Sequence, residues 1–121
     1  MAVVSYQELI AWQKAMDLVV AVYRATATFP PDERFGLTNQ LRRASVSVPS
    51  NIAEGQGRGT TKDFLHFLHI ARGSLQELET QTLIAQRLNF LPPNEKDSLI
   101  ALSSEVSRIL GGLIRTLATK H

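Results

Sequence analysis

The chain has 121 residues, of which 44% are hydrophobic and 20% are charged, with a formal net charge of +2 and no cysteine. This length is typical of one domain that buries roughly two-thirds of its unfolded surface. The lack of cysteine excludes disulfides, thiolate zinc sites and cysteine nucleophiles. No segment approaches the ~20 apolar residues of a membrane span, and the first residues lack the basic start of a secretory signal. We therefore expect a cytoplasmic protein with no membrane partner.

The first predicted helix covers residues 6–28. Ser5 and Glu8 have the spacing of a capping box, in which each side chain accepts a hydrogen bond from the other residue's backbone amide. The helix is expected to end before Pro30 and Pro31, because proline has no amide to donate and restrains the preceding residue. Apolar residues three and four apart predict its core face. They are Leu9, Trp12, Met16, Val19, Val20 and Tyr23.

The second predicted helix covers residues 37–56. Its interior contains Pro49, which withdraws an amide and crowds the carbonyl of Ser45, so we predict a kink near the proline. Glycines commonly follow a helix with a positive φ, which predicts that Gly55 or Gly57 ends this one. Its predicted core residues are Leu41, Ala44, Val48 and Ile52.

Two further helices are predicted, over residues 61–88 and 94–118. Thr60 and Asp63 form a capping pair for the third helix, and Asn94 is the expected N-cap of the fourth. Both helices have apolar residues at three- and four-residue spacing. These are Phe64, Leu68, Ala71, Leu75, Leu78, Thr82 and Ala85 in the third, and Leu99, Leu102, Val106, Ile109, Leu113 and Leu117 in the fourth.

Four amphipathic helices with short connections predict an all-α fold, an antiparallel up-down-up-down four-helix bundle that forms one domain over residues 1–121. Flanking apolar residues widen the apolar arc of the third helix to about 220°, more than one bundle core needs. We therefore expect a second buried face and a homo-oligomer. The alternative is a tight monomeric bundle with small apolar residues at its surface.

Charge is unevenly distributed along the chain. Residues 34–72 contain six cations and two anions, a net charge of +4, whereas residues 73–107 have a net charge of −3. A basic segment of this kind favours phosphate contacts with nucleic acid, and a solvated helical surface is the alternative. The candidate nucleic-acid-binding residues are Arg42, Arg43, Arg58, Lys62 and Arg72.

No motif in the sequence predicts an enzyme, a metal site or a cofactor. The run GQGRG follows a helix and lacks both the preceding strand of a dinucleotide fingerprint and the GK[ST] ending of a P-loop. Asp63, His66 and His69 fan over about 120° of the helix, too wide to converge on one ion. No serine or histidine has the neighbours of a nucleophile or an acid–base pair.

Two stretches carry a resemblance to a known family: LTNQLRRASVSVPSNIAEGQGR from Leu37, and DFLHFLHIARGSLQELETQ from Asp63. They resemble the four-helix bundle proteins named for intervening sequences of 23S ribosomal RNA genes. The resemblance implies a ring-shaped homopentamer. The family is related to the accessory variability determinant proteins of retroelements. This relation implies RNA or DNA as a partner, and also a protein partner such as a reverse transcriptase. The matching positions include Arg58, Arg72 and a structural or interface motif of Pro49, Asn51, Glu54, Ser74 and Glu77.

These observations lead to one functional hypothesis and one alternative. The hypothesis is a non-enzymatic, oligomeric bundle that binds nucleic acid with low specificity, or scaffolds a ribonucleoprotein, through a basic surface. The alternative is a homo-oligomeric protein-interaction module with no nucleic-acid role. In that case the polar motif around Pro49 stabilises the kinked helix and the subunit contact.

Overall fold

The computed structural model describes residues 5–119, and within this range the chain forms four α-helices and no strand. Each helix packs against two others in a closed cycle, α1 on α2, α2 on α3, α3 on α4 and α4 on α1. The predicted all-α four-helix bundle is therefore confirmed. The ends of the predicted domain, residues 1–4 and 120–121, lie outside the described residues. The helices are α1 (Ile10–Thr26), α2 (Leu37–Gly57), α3 (Thr61–Arg87) and α4 (Pro93–Thr119), with short 3₁₀ turns at Tyr6–Glu8 and Pro31–Glu33.

The first predicted helix, over residues 6–28, is too long at both ends. The capping box of Ser5 and Glu8 is present, but it caps the 3₁₀ turn. Leu9 then adopts an extended backbone with ψ of 125°, which separates this turn from α1. At the other end, α1 stops at Thr26, whose hydroxyl donates to the carbonyl of Val22 at 2.8 Å.

The predicted core face of the first helix is wrong in part, since Leu9 and Trp12 pack half-buried against the core but three of the other predicted residues do not. Met16, Val20 and Tyr23 are 40%, 46% and 42% exposed. The true core face has the same three- and four-residue spacing but lies one position earlier, so periodicity alone does not distinguish the two. Its alanines let the neighbouring helices approach α1 closely and leave the larger side chains outside. The buried residues are Ala11, Ala15, Leu18, Val22 and Ala25.

The predicted core faces of α2 and α3 agree with the structure. All four predicted residues of α2 are buried, and so are six of the seven in α3, with Phe64 packed half-buried against them. In α4, Leu99 and Val106 are buried as predicted, but the second half of the helix instead buries Leu110 and Ile114. Ile109 and Leu113 pack half-buried at the edge of the core.

The sequence predicted that Gly55 or Gly57 ends α2, and the last helical residue is Gly57, although its φ is not positive. Gly55 does not end the helix. It lies inside the helix, where an added Cβ would be 2.6 Å from the Cβ of Phe67 in α3. Only a residue without a side chain allows the two helices to come this close. The glycine with a positive φ is Gly59, at +87°, two residues after the helical end. Gly59 therefore has the C-capping role, because this conformation strains any residue with a Cβ.

Pro49 lies within α2, which is helical without interruption from Leu37 to Gly57. The predicted kink stays a prediction. Polar side chains on both sides of the proline donate hydrogen bonds to backbone carbonyls. The Ser45 hydroxyl donates to the carbonyl of Arg42, and the Asn51 side-chain amide donates to the carbonyl of Ser47, each at 2.8 Å.

The connection between α3 and α4 is closed by a helix cap that the sequence did not reveal. Asn89 has a φ of +63°, and the amides of Asn89 and Phe90 donate to the carbonyls of Gln86 and Ala85. This pair of bonds is a Schellman motif. Helix α4 begins at Pro93, so the prediction of Asn94 as its N-cap is wrong. Proline suits the first helical position, since its missing amide would be unpaired there anyway.

Replacing Gly55 with alanine is expected to destabilise the protein by about 1–3 kcal/mol, because the new methyl group overlaps Phe67. Gly73→Ala is the matched control. That glycine lies inside α3 with no atom within 4 Å of an added Cβ, so alanine there should stabilise the helix by up to about 1 kcal/mol. Urea unfolding at one fixed protein concentration measures both changes. Equal effects of the two substitutions would contradict the close-packing role of Gly55.

Candidate nucleic-acid interface

An open cleft of about 630 Å³ lies between the end of α1 and the first half of α2. Three of its lining residues are arginines, and none of those that the structure describes is a carboxylate. A concave surface with this charge attracts anions such as phosphate groups. The cleft is lined by Tyr23, Arg34, Phe35, Thr38, Asn39, Arg42, Arg43, Val46 and Ser47.

Arg42 forms a wall of the cleft and is already bonded to protein. Its Nε donates to Thr26 Oγ1 at 2.8 Å, and its Nη2 donates to the carbonyl oxygen of Tyr23 at 3.3 Å. The guanidinium group also lies 4.5 Å from the centroid of the Tyr23 ring. Arg42 therefore fastens the start of α2 to the last turn of α1.

Arg43 is, like Arg34, an exposed cation of the cleft. Nothing in residues 5–119 forms a hydrogen bond or ion pair with its side chain. The nearest acid in the sequence, Glu33, is engaged elsewhere, since its Oε1 accepts the amide of Leu37 at 3.1 Å and so caps α2. The positive charge of Arg43 is thus left available to a ligand.

Phe35 stands at the rim of the cleft and is 85% exposed, the most exposed large apolar side chain of the described residues. The guanidinium carbon of Arg34 lies 5.1 Å from the centroid of its ring. Sequence reasoning missed both residues, and Tyr23 was assigned to the core. The sequence feature that could have identified them is an Arg-Phe pair in the short turn that follows two prolines.

Arg58 follows the end of α2, about 22 Å along the helix from Arg43 at 1.5 Å per residue, and Lys62 lies beyond the turn in α3. Arg58 Nη2 pairs with Glu54 Oε2 at 2.8 Å, and its guanidinium carbon lies 5.1 Å from the centroid of the Phe67 ring. Lys62 is exposed in the first turn of α3 and has no ion pair within the described range.

Arg72 is half-buried in α3 and does not line the cleft. The five predicted basic residues therefore do not form one patch. Arg42 and Arg43 meet at the cleft, Arg58 and Lys62 lie near the turn between α2 and α3, and Arg72 stands apart.

The polar motif connects α2 to α3. Asn51 Nδ2 donates to Ser47 Oγ at 2.9 Å, and Ser47 Oγ shares a 2.8 Å hydrogen bond with Ser74 Oγ of α3. Ser74 is buried, whereas Glu77 is exposed in an adjoining groove that Arg43 also lines. The bond between Ser47 and Ser74 thus joins the two helices, Asn51 holds Ser47 from within α2, and Glu77 adds charge beside the cleft.

Two apolar surfaces lie outside the core. The first, here called the α1–α2 groove, has a volume of about 390 Å³. The second, the α3 patch, consists of apolar side chains of α3 that are 39–52% exposed. The groove is lined by Tyr6, Trp12, Met16, Val19, Val46, Pro49, Ser50 and Ala53, and the patch contains Ile70, Ile84 and Leu88, which share one side of α3.

The described residues form no group of three or more histidines and acids that could hold a metal ion. His66 and His69 are exposed, and the His66 ring lies edge-on to Phe67 at 5.3 Å between centroids. No helix among the described residues has the length and hydropathy needed to cross a membrane.

Fold and surface together define an all-helical bundle with a basic cleft and two exposed apolar faces. The family model of the 23S rRNA-intervening sequence protein matches residues 7–112, and the chain belongs to this family. A solved structure of a protein of unknown function from the S23 ribosomal protein family of Bacteroides thetaiotaomicron VPI-5482 is similar, with a TM-score of 0.78 at 21% identity. The match covers 87% of this chain and 98% of that one, and it supports the fold. No curated protein matches the chain.

Arg42→Lys is expected to lower the free energy of unfolding by about 1–2 kcal/mol. Lysine cannot reproduce the two directed bonds to Thr26 and Tyr23 or the stacking of the guanidinium plane. Arg43→Lys, one position along the same helix, is the control and should change stability by less than about 0.5 kcal/mol. Thermal unfolding of the two variants measures the difference, and equal stability would show that the Arg42 contacts do not fasten α1 to α2.

Proposed function

We propose that this protein is a homo-oligomeric bundle that binds nucleic acid through phosphate contacts with low sequence specificity. The observation that carries the proposal is the cleft beside α2, which has three arginines and no carboxylate among its described lining residues. Membership of a family named for 23S rRNA favours RNA as the first nucleic acid to test.

The contacts are assigned to those of the five predicted basic residues that are exposed and have no partner within the described chain. Arg43 and Lys62 are exposed and unpaired, whereas Arg42 is bonded to α1 and Arg58 to Glu54. Phosphate contacts from Arg43 and Lys62 would position a strand along α2 without reading its bases. Each contact releases bound counterions, so affinity must fall as salt rises.

Reversing both charges, Arg43→Glu with Lys62→Glu, should lower RNA affinity about tenfold or more at about 50 mM salt and should make the salt dependence shallower. Fluorescence anisotropy across a salt series measures both quantities. The control is Arg108→Glu together with Arg87→Glu, which changes the net charge equally at exposed positions outside the basic segment.

Wild-type protein that shows no affinity at about 50 mM salt, or affinity that does not depend on salt, would refute nucleic-acid binding. Equal losses in the test and control variants would show that only the net charge of the protein matters. Wild-type oligomer mass in the test variant separates loss of binding from loss of assembly.

The homo-oligomer is proposed from the two apolar surfaces. A closed ring of more than two subunits needs a head-to-tail contact between two different surfaces of each subunit. The α1–α2 groove and the α3 patch are two such surfaces on different helices, and exposed apolar surfaces of this kind commonly mark subunit contacts. A ring such as the homopentamer implied by the family resemblance fits this arrangement. The same observation favours the second candidate function, a protein-interaction module without a nucleic-acid role.

A mixing experiment tests the head-to-tail contact. Met16→Glu places a charge in the α1–α2 groove, and Ile84→Glu places one in the α3 patch, so each variant alone should be monomeric. An equimolar mixture should form a heterodimer and nothing larger, because each subunit keeps one intact surface. Light scattering measures the masses. If the two variants stay monomeric on mixing, or if either alone keeps the wild-type mass, this contact does not form.

A further inference from the structure

We infer that the cleft beside α2 holds an unpaired nucleotide, with the base stacked on Phe35 and the phosphate at Arg43, so that the protein prefers single-stranded to duplex nucleic acid. This inference rests on the proposed nucleic-acid binding. It goes beyond that proposal because it gives Phe35 the role of stacking on a base, and phosphate contacts do not require an aromatic residue.

Phe35 is presented to solvent by a rigid turn. The amides of Glu33, Arg34 and Gly36 donate to the carbonyls of Pro30, Pro31 and Glu33 at 2.9, 3.1 and 3.0 Å. After the turn, the Glu33 side chain caps the amide of Leu37 at 3.1 Å. The backbone on both sides of Phe35 is therefore held in place while its ring remains 85% exposed.

A nucleotide base suits this ring. An aromatic side chain can stack on any base, because every base has a flat apolar face. Stacking removes one face of the ring and one face of the base from water, and it requires no particular sequence. The Arg34 guanidinium carbon lies over one face of the ring, 5.1 Å from its centroid, so a base would stack on the opposite face. The cleft volume of about 630 Å³ also falls within the range of sites that hold small molecules.

The charge of the cleft fits the rest of the nucleotide. Arg43 is exposed and forms no ion pair among the described residues, because Glu33 is engaged at the start of α2 and Glu77, which lines the adjoining groove with Arg43, does not pair with it. In a duplex the bases are stacked inside the helix and Phe35 cannot reach them, leaving only phosphate contacts. Stacking therefore adds affinity for an unpaired strand alone.

The experiment compares a labelled oligouridylate of about 12 nucleotides with an RNA duplex of the same length. Phe35→Ala should weaken binding of the single strand by about tenfold and change duplex binding by less than about twofold. Phe35→Trp keeps an aromatic surface and should bind the single strand at least as well as the wild type. Ile10→Ala, which shortens an exposed apolar side chain outside the cleft and outside both apolar surfaces, should have no effect.

If Phe35→Ala binds the single strand as the wild type does, while binding remains salt-dependent, the inference is overturned and the proposed function stands. If the wild type binds neither RNA, both fall. A reduced oligomer mass for Phe35→Ala would assign the ring to a contact with a second copy of the chain and would also overturn the inference.

Discussion

The close approach of α2 to α3 at Gly55 is the constraint on which the rest of the structure depends. With no side chain at this position, the backbone of α2 packs directly against Phe67 and fixes the register of the two helices. In that register Ser47 lies opposite Ser74, about two turns of α2 before Gly55, and the two hydroxyls bond. Arg42 also fastens α2 to α1. Helix α2 is therefore held against both of its neighbours, and this fixes the position of the cleft residues that it carries.

The fold was largely predictable because, in the long helices α2 and α3, the most regular apolar stripe is the one that faces the core. Helix α1 was not, since its small core residues, such as Ala15, and its larger outer ones, such as Met16, repeat with the same period. Periodicity identifies an apolar face, but it does not tell which of two such faces meets the core. The glycines were misassigned for a similar reason, because the close contact of Gly55 with Phe67 depends on how α3 packs.

The candidate site was predictable only in part. Composition placed the positive charge in the segment that forms the cleft, and the four-residue spacing of Glu54 and Arg58 is that of a helical ion pair. The bond between Arg42 and Thr26 joins residues 16 positions apart and depends on the angle between α1 and α2. Phe35 gave no periodic signal because it lies in a turn. The sequence therefore identified basic residues, but not which of them remain free.

Large apolar side chains on two surfaces of a small bundle link the packing of the helices to the proposed assembly. Excluding them from the core makes sense physically if another subunit covers them, because large exposed apolar surfaces are unfavourable in water. Light scattering of the purified wild-type protein tests this claim most directly. The account predicts a mass that is a multiple of the 13.4 kDa chain, greater than that of a dimer. A monomer of 13.4 kDa at micromolar concentration would contradict it.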